Sequence, residues 1–208
     1  MCGIGGYFVS PGVDWRPSKE SLGAMLVSLM TRGRDATGFA TLTDENNICI
    51  YKGPLPADDF KEAFIKDDTV PVGRIGLLHA RSATIGDPNY PENNHPVYYE
   101  TGNDYVAVVH NGTMGPGVKA WEQIKLQPKA QVDSEIIAAS LAALGPIEGL
   151  RLLEKEVGGT AAFAALFQNG DLLLAKDTNP LFMGVPSPGV LVWSSIKEAL
   201  IQIWGAEV

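Results

Sequence analysis

The second residue of the chain is a cysteine, and removal of the initiator Met1 would leave Cys2 as the N-terminal residue. Initiator methionine is usually trimmed when the next side chain is small, as cysteine is. The product would carry a thiol and a free α-amine on one residue. An α-amine titrates at about 7.7–8.0 and a thiol at about 8.5, so the amine could take the thiol proton at neutral pH. We therefore expect Cys2 to be a nucleophile with its own base, against the alternative of a small buried residue that begins a strand.

A thiolate that attacks an amide creates a tetrahedral oxyanion, which needs hydrogen-bond donors already in place. The apolar residues 106–109 predict a strand, and His110-Asn111-Gly112 follow it. Asn111 could donate a side-chain N–H and Gly112 a backbone N–H, since glycine has no Cβ to obstruct the approach. The alternative is an ordinary Asn-Gly turn that closes the strand.

Two further charged residues are suited to the ends of a free amino acid. Arg81 comes just after a predicted strand that ends at His79, and its planar guanidinium could bind a carboxylate bidentately. Asp133 begins a predicted helix and could accept from an ammonium group. The alternatives are a solvated surface ion pair for Arg81 and a routine helix N-cap for Asp133.

Composition excludes several classes of protein. The chain has 208 residues and a formal net charge of -8, which argues against a nucleic-acid partner because phosphate binding needs clustered basic residues. No run of about 18 apolar residues predicts a membrane span, and the N-terminus lacks a secretory signal, so we expect a cytoplasmic protein. Two cysteines and three histidines show no short ligand spacing, so we expect no metal and no cofactor.

The periodicity of the chain predicts strands in hairpin pairs with helices inserted between them. A helix is expected after the N-cap Ser18 and up to Gly33, with hairpins across residues 44–47 and 168–171. Two consecutive helices are expected over residues 133–144 and 146–157. A polar stretch, residues 86–103, is long enough to be a functional loop. This pattern favours antiparallel sheets covered by helices over a doubly wound parallel sheet.

The chemically distinctive segments resemble, in order along the chain, those of class II glutamine amidotransferase domains in the N-terminal-nucleophile (Ntn) hydrolase superfamily. These segments are Cys2-Gly3-Ile4-Gly5-Gly6, Arg32-Gly33-Arg34-Asp35-Ala36-Thr37-Gly38, His79-Ala80-Arg81-Ser82-Ala83-Thr84, Asn94-His95-Pro96, His110-Asn111-Gly112, Asp133-Ser134-Glu135, Gly159-Thr160-Ala161-Ala162-Phe163-Ala164 and Lys176-Asp177 with Pro180-Leu181 and Gly184. The resemblance covers essentially the whole chain, so residues 1–208 are expected to form a single glutaminase domain.

The resemblance implies a four-layer αββα sandwich of two mainly antiparallel sheets. It also implies hydrolysis of glutamine through a γ-glutamyl thioester on Cys2, with release of ammonia. The roles it implies for other residues are an oxyanion hole from Asn111 and Gly112, α-carboxylate binding by Arg81 and Thr84, α-ammonium binding by Asp133, and support from Arg32 and His95. His95 and His110 are expected to be hydrogen-bonding scaffold residues.

Some residues depart from the family pattern. Ser82 and Ile85 stand where the hexosamine-synthesising branch has Trp and His, and Ala36-Thr37 replace a common Ser-Ala pair. No acceptor domain is expected within the chain, so we expect a partner protein that uses the ammonia. Two other functions remain open: an Ntn amidohydrolase for a different amide, and a catalytically silent glutamine-binding module.

Overall fold

The structure is a computed structural model that describes residues 1–102 and 104–208. Its strands are β1 (Gly3–Val9), β2 (Ala36–Leu42), β3 (Ile48–Gly53), β4 (Ile75–Arg81), β5 (Val97–Thr101), β6 (Asp104–Met114), β7 (Gly159–Phe167), β8 (Leu172–Lys176), β9 (Phe182–Ser187) and β10 (Val190–Ser194). Its helices are α1 (Lys19–Leu29), α2 (Ala57–Lys66), α3 (Val118–Ile124), α4 (Glu135–Glu156) and α5 (Lys197–Trp204). Short 3-10 turns occupy Met30–Arg32 and Pro91–Asn93.

The strands form two sheets, and every neighbouring pair is antiparallel. The six-stranded sheet has the order β3-β2-β4-β1-β10-β9, and the four-stranded sheet has the order β5-β6-β7-β8. Strand β1, which follows Cys2, lies between β4 and β10 near the centre of the larger sheet. The start of β1 is therefore held on both sides by hydrogen-bonded neighbours.

Three apolar layers hold the molecule together. One packs α1, α2 and α5 against the outer face of the six-stranded sheet, and a second packs α3 and α4 against the outer face of the four-stranded sheet. The third lies between the two sheets and includes Ile4, Leu77 and Val109. The result is a four-layer αββα sandwich, which confirms the fold class predicted from the sequence.

Most predicted elements are confirmed, and the helix start at Ser18 shows why. The Ser18 hydroxyl accepts from the backbone N–H of Ser21 at 3.2 Å, as an N-cap does. Strand β6 runs to Met114 and is longer than expected. The prediction of one long loop over residues 86–103 is wrong, because β5 lies within it and pairs with β6; Asn103 lies outside the described residues.

Helix α4 is the one described helix that is long and apolar enough, by length and composition alone, to span a membrane. The sequence expectation that no segment qualifies is therefore corrected. However, 56% of its most apolar window is buried inside the fold. Gly145 (φ 75°, ψ 178°) also interrupts the helix just before Pro146. This confirms the prediction of two consecutive helices in this segment. Helix α4 is thus a core helix of the outer layer.

Candidate active site

The layer between the sheets is apolar along most of its length and polar at one end. Side chains two residues apart on a strand lie on the same face. The faces that carry Ile4, Leu77 and Val109 in this layer therefore also carry the following polar side chains nearer the strand ends: Cys2, His79, Arg81 and Asn111. Strand parity alone brings the predicted nucleophile, the predicted carboxylate anchor and a predicted oxyanion donor to one end of the sandwich.

Cys2 is half-buried at the head of β1. Its Sγ lies 3.5 Å from the backbone N–H of Ser82, which can donate to it. Burial raises the pKa of the Cys2 thiol, and the Ser82 N–H and the nearby Arg81 guanidinium partly oppose this. The thiol is therefore mostly protonated at neutral pH and needs a base. Arg32, the predicted supporting residue, donates from Nε to the Cys2 carbonyl at 3.0 Å.

Asn111 and Gly112 lie inside strand β6, paired with Ala162 and Ala161 of β7. The alternative that they form a closing turn is therefore wrong. The Asn111 side chain is 0% exposed, yet neither Oδ1 nor Nδ2 has a hydrogen-bond partner among the described residues. A buried amide with no partner is costly and uncommon in a native fold. Its free N–H groups are available to an oxyanion that forms in this layer.

Gly112 allows a close approach between strands. A Cβ at this position would lie 1.9 Å from the Thr160 carbonyl oxygen, and its φ of +155° also favours glycine. Asn179 fixes the strand from the other side, because its Nδ2 donates to the Asn111 carbonyl at 2.9 Å. The backbone around the predicted oxyanion donors is thus held while the Asn111 side chain is left unbonded.

Arg81 is only 3% exposed, so the alternative of a solvated surface ion pair is wrong. Its Nη2 donates to the carbonyls of Ile85 at 2.5 Å and Gly86 at 2.8 Å, and its Nη1 donates to Asn94 Oδ1 at 3.0 Å. Burial lowers the pKa of the guanidinium, and nearby acidic groups oppose this. The bonds to the Ile85 and Gly86 carbonyls fold the segment after β4 back onto the guanidinium.

Asp133 lies two residues before α4, but it is not the helix N-cap. The N-cap is Ser134, which makes no side-chain capping bond. Asp133 instead accepts from the Met114 backbone N–H at 2.7 Å and from the Ser134 hydroxyl at 3.3 Å. The carboxylate thus lies beside the end of β6 and the loop before α4, where it can accept from a ligand.

One pocket gathers most of the predicted site residues. Its lining includes Cys2, Arg81, Thr84, His95, Gly112 and Asp133. Thr84 is exposed, as expected for a residue at the mouth of a site. The pocket volume is about 20 Å³, which is room for one water molecule and too little for an amino acid. A larger groove of about 700 Å³ lies next to it and shares the Ile85, Val132 and Asp133 walls.

Two buried histidines, His95 and His110, line the pocket, and a third, His79, packs against His95; burial lowers the pKa of all three rings. His79 Nε2 lies 3.1 Å from the His110 carbonyl, and burial lowers the His79 pKa to about 3. His110 Nδ1 lies 2.8 Å from the Ser134 hydroxyl, as expected for a scaffold residue. His95 differs from that expectation, because neither ring nitrogen has a partner among the described residues. Its ring stacks on His79 instead, with centroids 4.1 Å apart.

Several residues around the site were not predicted. Asp35 Oδ2 accepts from the Ala83 N–H at 2.6 Å and so holds the backbone after Arg81. Asn179 and Asn94 hold Asn111 and Arg81 as described above. All three lie within segments that resemble the family, which is the signal that could have identified them. The contact of Asn179 with Asn111 spans 68 residues, so no local pattern shows it. No cluster of three or more potential metal ligands occurs among residues 1–102 and 104–208.

Comparison with known proteins identifies the relatives of this fold and pocket. No protein-family model matches the chain. The glutamine–fructose-6-phosphate aminotransferase (isomerizing) of Agrobacterium fabrum is 32% identical over 195 residues, which cover 88% of this chain and 30% of that protein. The corresponding Staphylococcus epidermidis protein is 29% identical over 215 residues, 97% of this chain and 33% of that protein. The chain spans about a third of the length of the curated relatives it matches.

Solved structures agree on the fold. Glutamine phosphoribosylpyrophosphate amidotransferase from B. subtilis superposes with a TM-score of 0.77 at 21% identity, over 99% of this chain and 44% of that chain. The αββα sandwich with a cysteine at the head of a central strand thus defines an Ntn-hydrolase fold. The homologues of this chain are class II glutamine amidotransferases, which confirms the resemblance found in the sequence.

Proposed function

We propose that residues 1–208 form a glutaminase domain that hydrolyses glutamine to glutamate and ammonia through a γ-glutamyl thioester on Cys2. The observation that carries this proposal is the polar pocket at one end of the sandwich. It places Cys2 beside a buried arginine and a half-buried aspartate, at the end of the inter-sheet layer into which Asn111, an amide without a hydrogen-bond partner, also points. A nucleophile, an oxyanion donor and two complementary charges are the parts that cleavage of a zwitterionic amide requires.

The first step is loss of Met1. Met1 is 76% exposed, so its removal disturbs no core packing. While Met1 is attached, the nitrogen of Cys2 is a peptide nitrogen and cannot act as a base. After removal, the α-amine takes the thiol proton, directly or through a water molecule. Since burial raises the pKa of this thiol, an adjacent base is needed for attack at neutral pH.

In the second step the Cys2 thiolate attacks the γ-carboxamide carbon of glutamine. The oxygen becomes negatively charged and accepts from Asn111 Nδ2 and from the Gly112 backbone N–H. Collapse of this intermediate breaks the C–N bond, and the ammonium form of the α-amine returns its proton to the leaving ammonia. Water then gives a proton to the α-amine as it attacks the thioester carbon, and the same donors stabilise the second oxyanion. The C–S bond breaks, glutamate leaves, and the Cys2 thiolate takes the proton back from the α-ammonium.

The two charges of the substrate backbone select glutamine over an uncharged amide. Arg81 binds the α-carboxylate with N–H groups that now bond the loop after β4, and Thr84 lies at the pocket mouth. Asp133 accepts from the α-ammonium. A fatty or aromatic acyl group would offer no opposite charge to either residue and would displace water from both, which is unfavourable.

Glutamine cannot enter the pocket in the conformation described, because the space is about 20 Å³. The wall that separates it from the 700 Å³ groove contains Ile85 and Val132. Ile85 lies in the segment that Arg81 holds. Entry from the groove therefore requires this segment to move away from Asp133, and the α-carboxylate can take over donors of Arg81 as it moves.

Ammonia released in water would be lost, so we propose that a partner protein supplies the acceptor site. The curated relatives named above are aminotransferases about three times longer than this chain, which supports an acceptor outside the 208 residues. Pull-down from native extract should recover a partner whose presence raises glutamine turnover. Glutaminase activity that no fraction of the extract changes would contradict this part of the proposal.

The glutaminase proposal is tested by measuring ammonia release from glutamine and asparagine, and primary-amine release from an acylated primary amine, with protein whose mass shows that Met1 is absent. We expect ammonia release from glutamine and no turnover of the other two substrates. The Cys2→Ala variant should release no ammonia. Turnover of the acylated amine in preference to glutamine would show an amidohydrolase of another specificity. Glutamine binding without turnover would show a silent binding module.

A further inference from the structure

Lys52 is a half-buried lysine that the proposed mechanism does not use. It lies on the edge strand β3, two residues after Ile50, and Ile50 packs against the layer between the sheets. The Lys52 side chain therefore points into the same layer as the catalytic pocket. Its Nζ donates to the Asn94 carbonyl at 2.7 Å and to the Pro96 carbonyl at 2.9 Å.

These two bonds hold a segment that crosses the sheet at a glycine. Gly38 is the register partner of Lys52 on β2. A Cβ on Gly38 would lie 2.0 Å from the His95 carbonyl oxygen, so the missing side chain makes room for residues 94–96. Lys52 bonds the carbonyls on both sides of His95. The Lys52 amine thus holds residues 94–96 in place where they pass over Gly38.

Residue 94 connects this segment to Arg81. The Asn94 side chain is 0% exposed and has two bonds. Its Oδ1 accepts from Arg81 Nη1 at 3.0 Å, and its Nδ2 donates to the Pro88 carbonyl at 2.6 Å. The backbone of Asn94 is bonded to Lys52 while its side chain is bonded to Arg81. A continuous chain of hydrogen bonds therefore runs from Lys52 through Asn94 to the guanidinium.

A lysine suits this position because an amine keeps at least two N–H donors in either protonation state, and two carbonyls must be satisfied. Burial lowers the Lys52 pKa to about 8, and the nearby Glu92 carboxylate opposes this. An apolar side chain of similar length would leave both carbonyls without a donor inside the fold, which is unfavourable.

We propose that Lys52 is a positioning residue for the glutamine site, which sets the orientation of Arg81 through Asn94. The expected effect on glutamine binding rests on the proposed function. The chain of hydrogen bonds from Lys52 through Asn94 to Arg81 does not depend on it. Lys52 touches neither the thiol nor the substrate. Its loss should therefore weaken the binding of the α-carboxylate and leave the chemical step on Cys2 intact.

The kinetic test compares Lys52→Met with Lys52→Arg, and uses Lys66→Met as the matched control because the Lys66 side chain is 78% exposed. Lys52→Met should raise KM for glutamine about tenfold with kcat changed less than twofold. Lys52→Arg should restore most of KM, and Lys66→Met should match the unaltered protein. Asn94→Ala should raise KM similarly, and the double variant Lys52→Met/Asn94→Ala should be no worse than Asn94→Ala alone. Lys52→Gln is measured alongside in case Lys52→Met does not fold.

A second measurement does not depend on catalysis. Phenylglyoxal modifies accessible arginines, and peptide mass spectrometry follows Arg81 separately. Arg81 should be modified several times faster in Lys52→Met and Asn94→Ala than in Lys66→Met and Lys52→Arg. Unchanged Arg81 labelling and unchanged KM in a folded Lys52→Met or Lys52→Gln protein would overturn the proposal. Faster labelling in a chain that releases no ammonia in any form would support the role of Lys52 and would refute the glutaminase proposal instead.

Discussion

The Nε2 atom of His79 lies 3.1 Å from the carbonyl oxygen of His110, across the space between the two sheets. Because a carbonyl can only accept, Nε2 carries the hydrogen, and Nδ1 of the same ring has no partner among the described residues. This bond joins the six-stranded and four-stranded sheets beside the candidate active site. Nε2 carries a hydrogen in one neutral tautomer and in the protonated ring. Burial lowers the pKa of His79, so the ring is the neutral tautomer with its hydrogen on Nε2.

This buried ring makes the fold sensitive to acid. The pKa of His79 falls from an ordinary 6.5 to about 3 in the folded protein, so the unfolded chain binds a proton that the folded chain does not between these values. The contribution of His79 to the free energy of unfolding is therefore fully present above pH 6.5. It falls by about 1.4 kcal/mol per pH unit as the pH drops through this window. Urea unfolding of the unaltered protein and of His79→Gln from pH 7.5 to 5 measures this, and the variant should show a shallower slope. Equal slopes would mean that His79 titrates normally.

Asn111→Ala should separate activity from stability. The side chain has no hydrogen-bond partner, so its removal should leave the unfolding free energy unchanged or raise it slightly. Loss of one oxyanion donor should lower kcat by about 10²-fold or more. The measurements are steady-state ammonia release and thermal unfolding, with Asn169→Ala in the distant 168–171 turn as the control. A mild loss of kcat would remove Asn111 from the oxyanion hole.

The grouping of the candidate site residues follows from the sequence more directly than the loops do. Cys2, Arg81, Gly112 and Asp133 line one pocket. Each belongs to a segment with distinctive chemistry, and for Cys2 and Arg81 the strand periodicity also predicts the side of the sheet on which the side chain lies. Strand β5 was missed because its five residues are enclosed by prolines, asparagines and glycines that predict turns. The conformation of the segment after β4 could not be predicted, because it depends on which backbone carbonyls the Arg81 guanidinium binds, and the residue pattern does not reveal this.

Arg81→Ala should mainly weaken glutamine binding. The variant loses the predicted carboxylate anchor and also the bonds to the Ile85 and Gly86 carbonyls. We expect KM to rise by about 10² or more, in line with loss of a charge-assisted bidentate contact, with a smaller change in kcat. Arg34→Ala is the matched control, since that arginine is 62% exposed and pairs with Asp58 at the surface. A normal KM in Arg81→Ala would remove Arg81 from the substrate site.

Cys2→Ser and Cys2→Ala should abolish ammonia release and keep the fold. Cys2 is half-buried, and its thiol contacts only the backbone N–H and carbonyl of Ser82 among the described hydrogen bonds, so a smaller side chain removes little packing. Cys49→Ser, on the edge strand β3, should keep full activity. Ammonia release from Cys2→Ala comparable to that of Cys49→Ser would assign the nucleophile to another residue.

The most direct test of the account compares one protein before and after its N-terminus is exposed. The chain is prepared with a short extension ahead of Cys2, and a specific protease then removes every residue before Cys2, as intact mass confirms. The account predicts almost no ammonia release from glutamine before cleavage and full activity after it, because only the second form has the α-amine beside the thiol. Equal activity in the two forms would contradict the proposed chemistry.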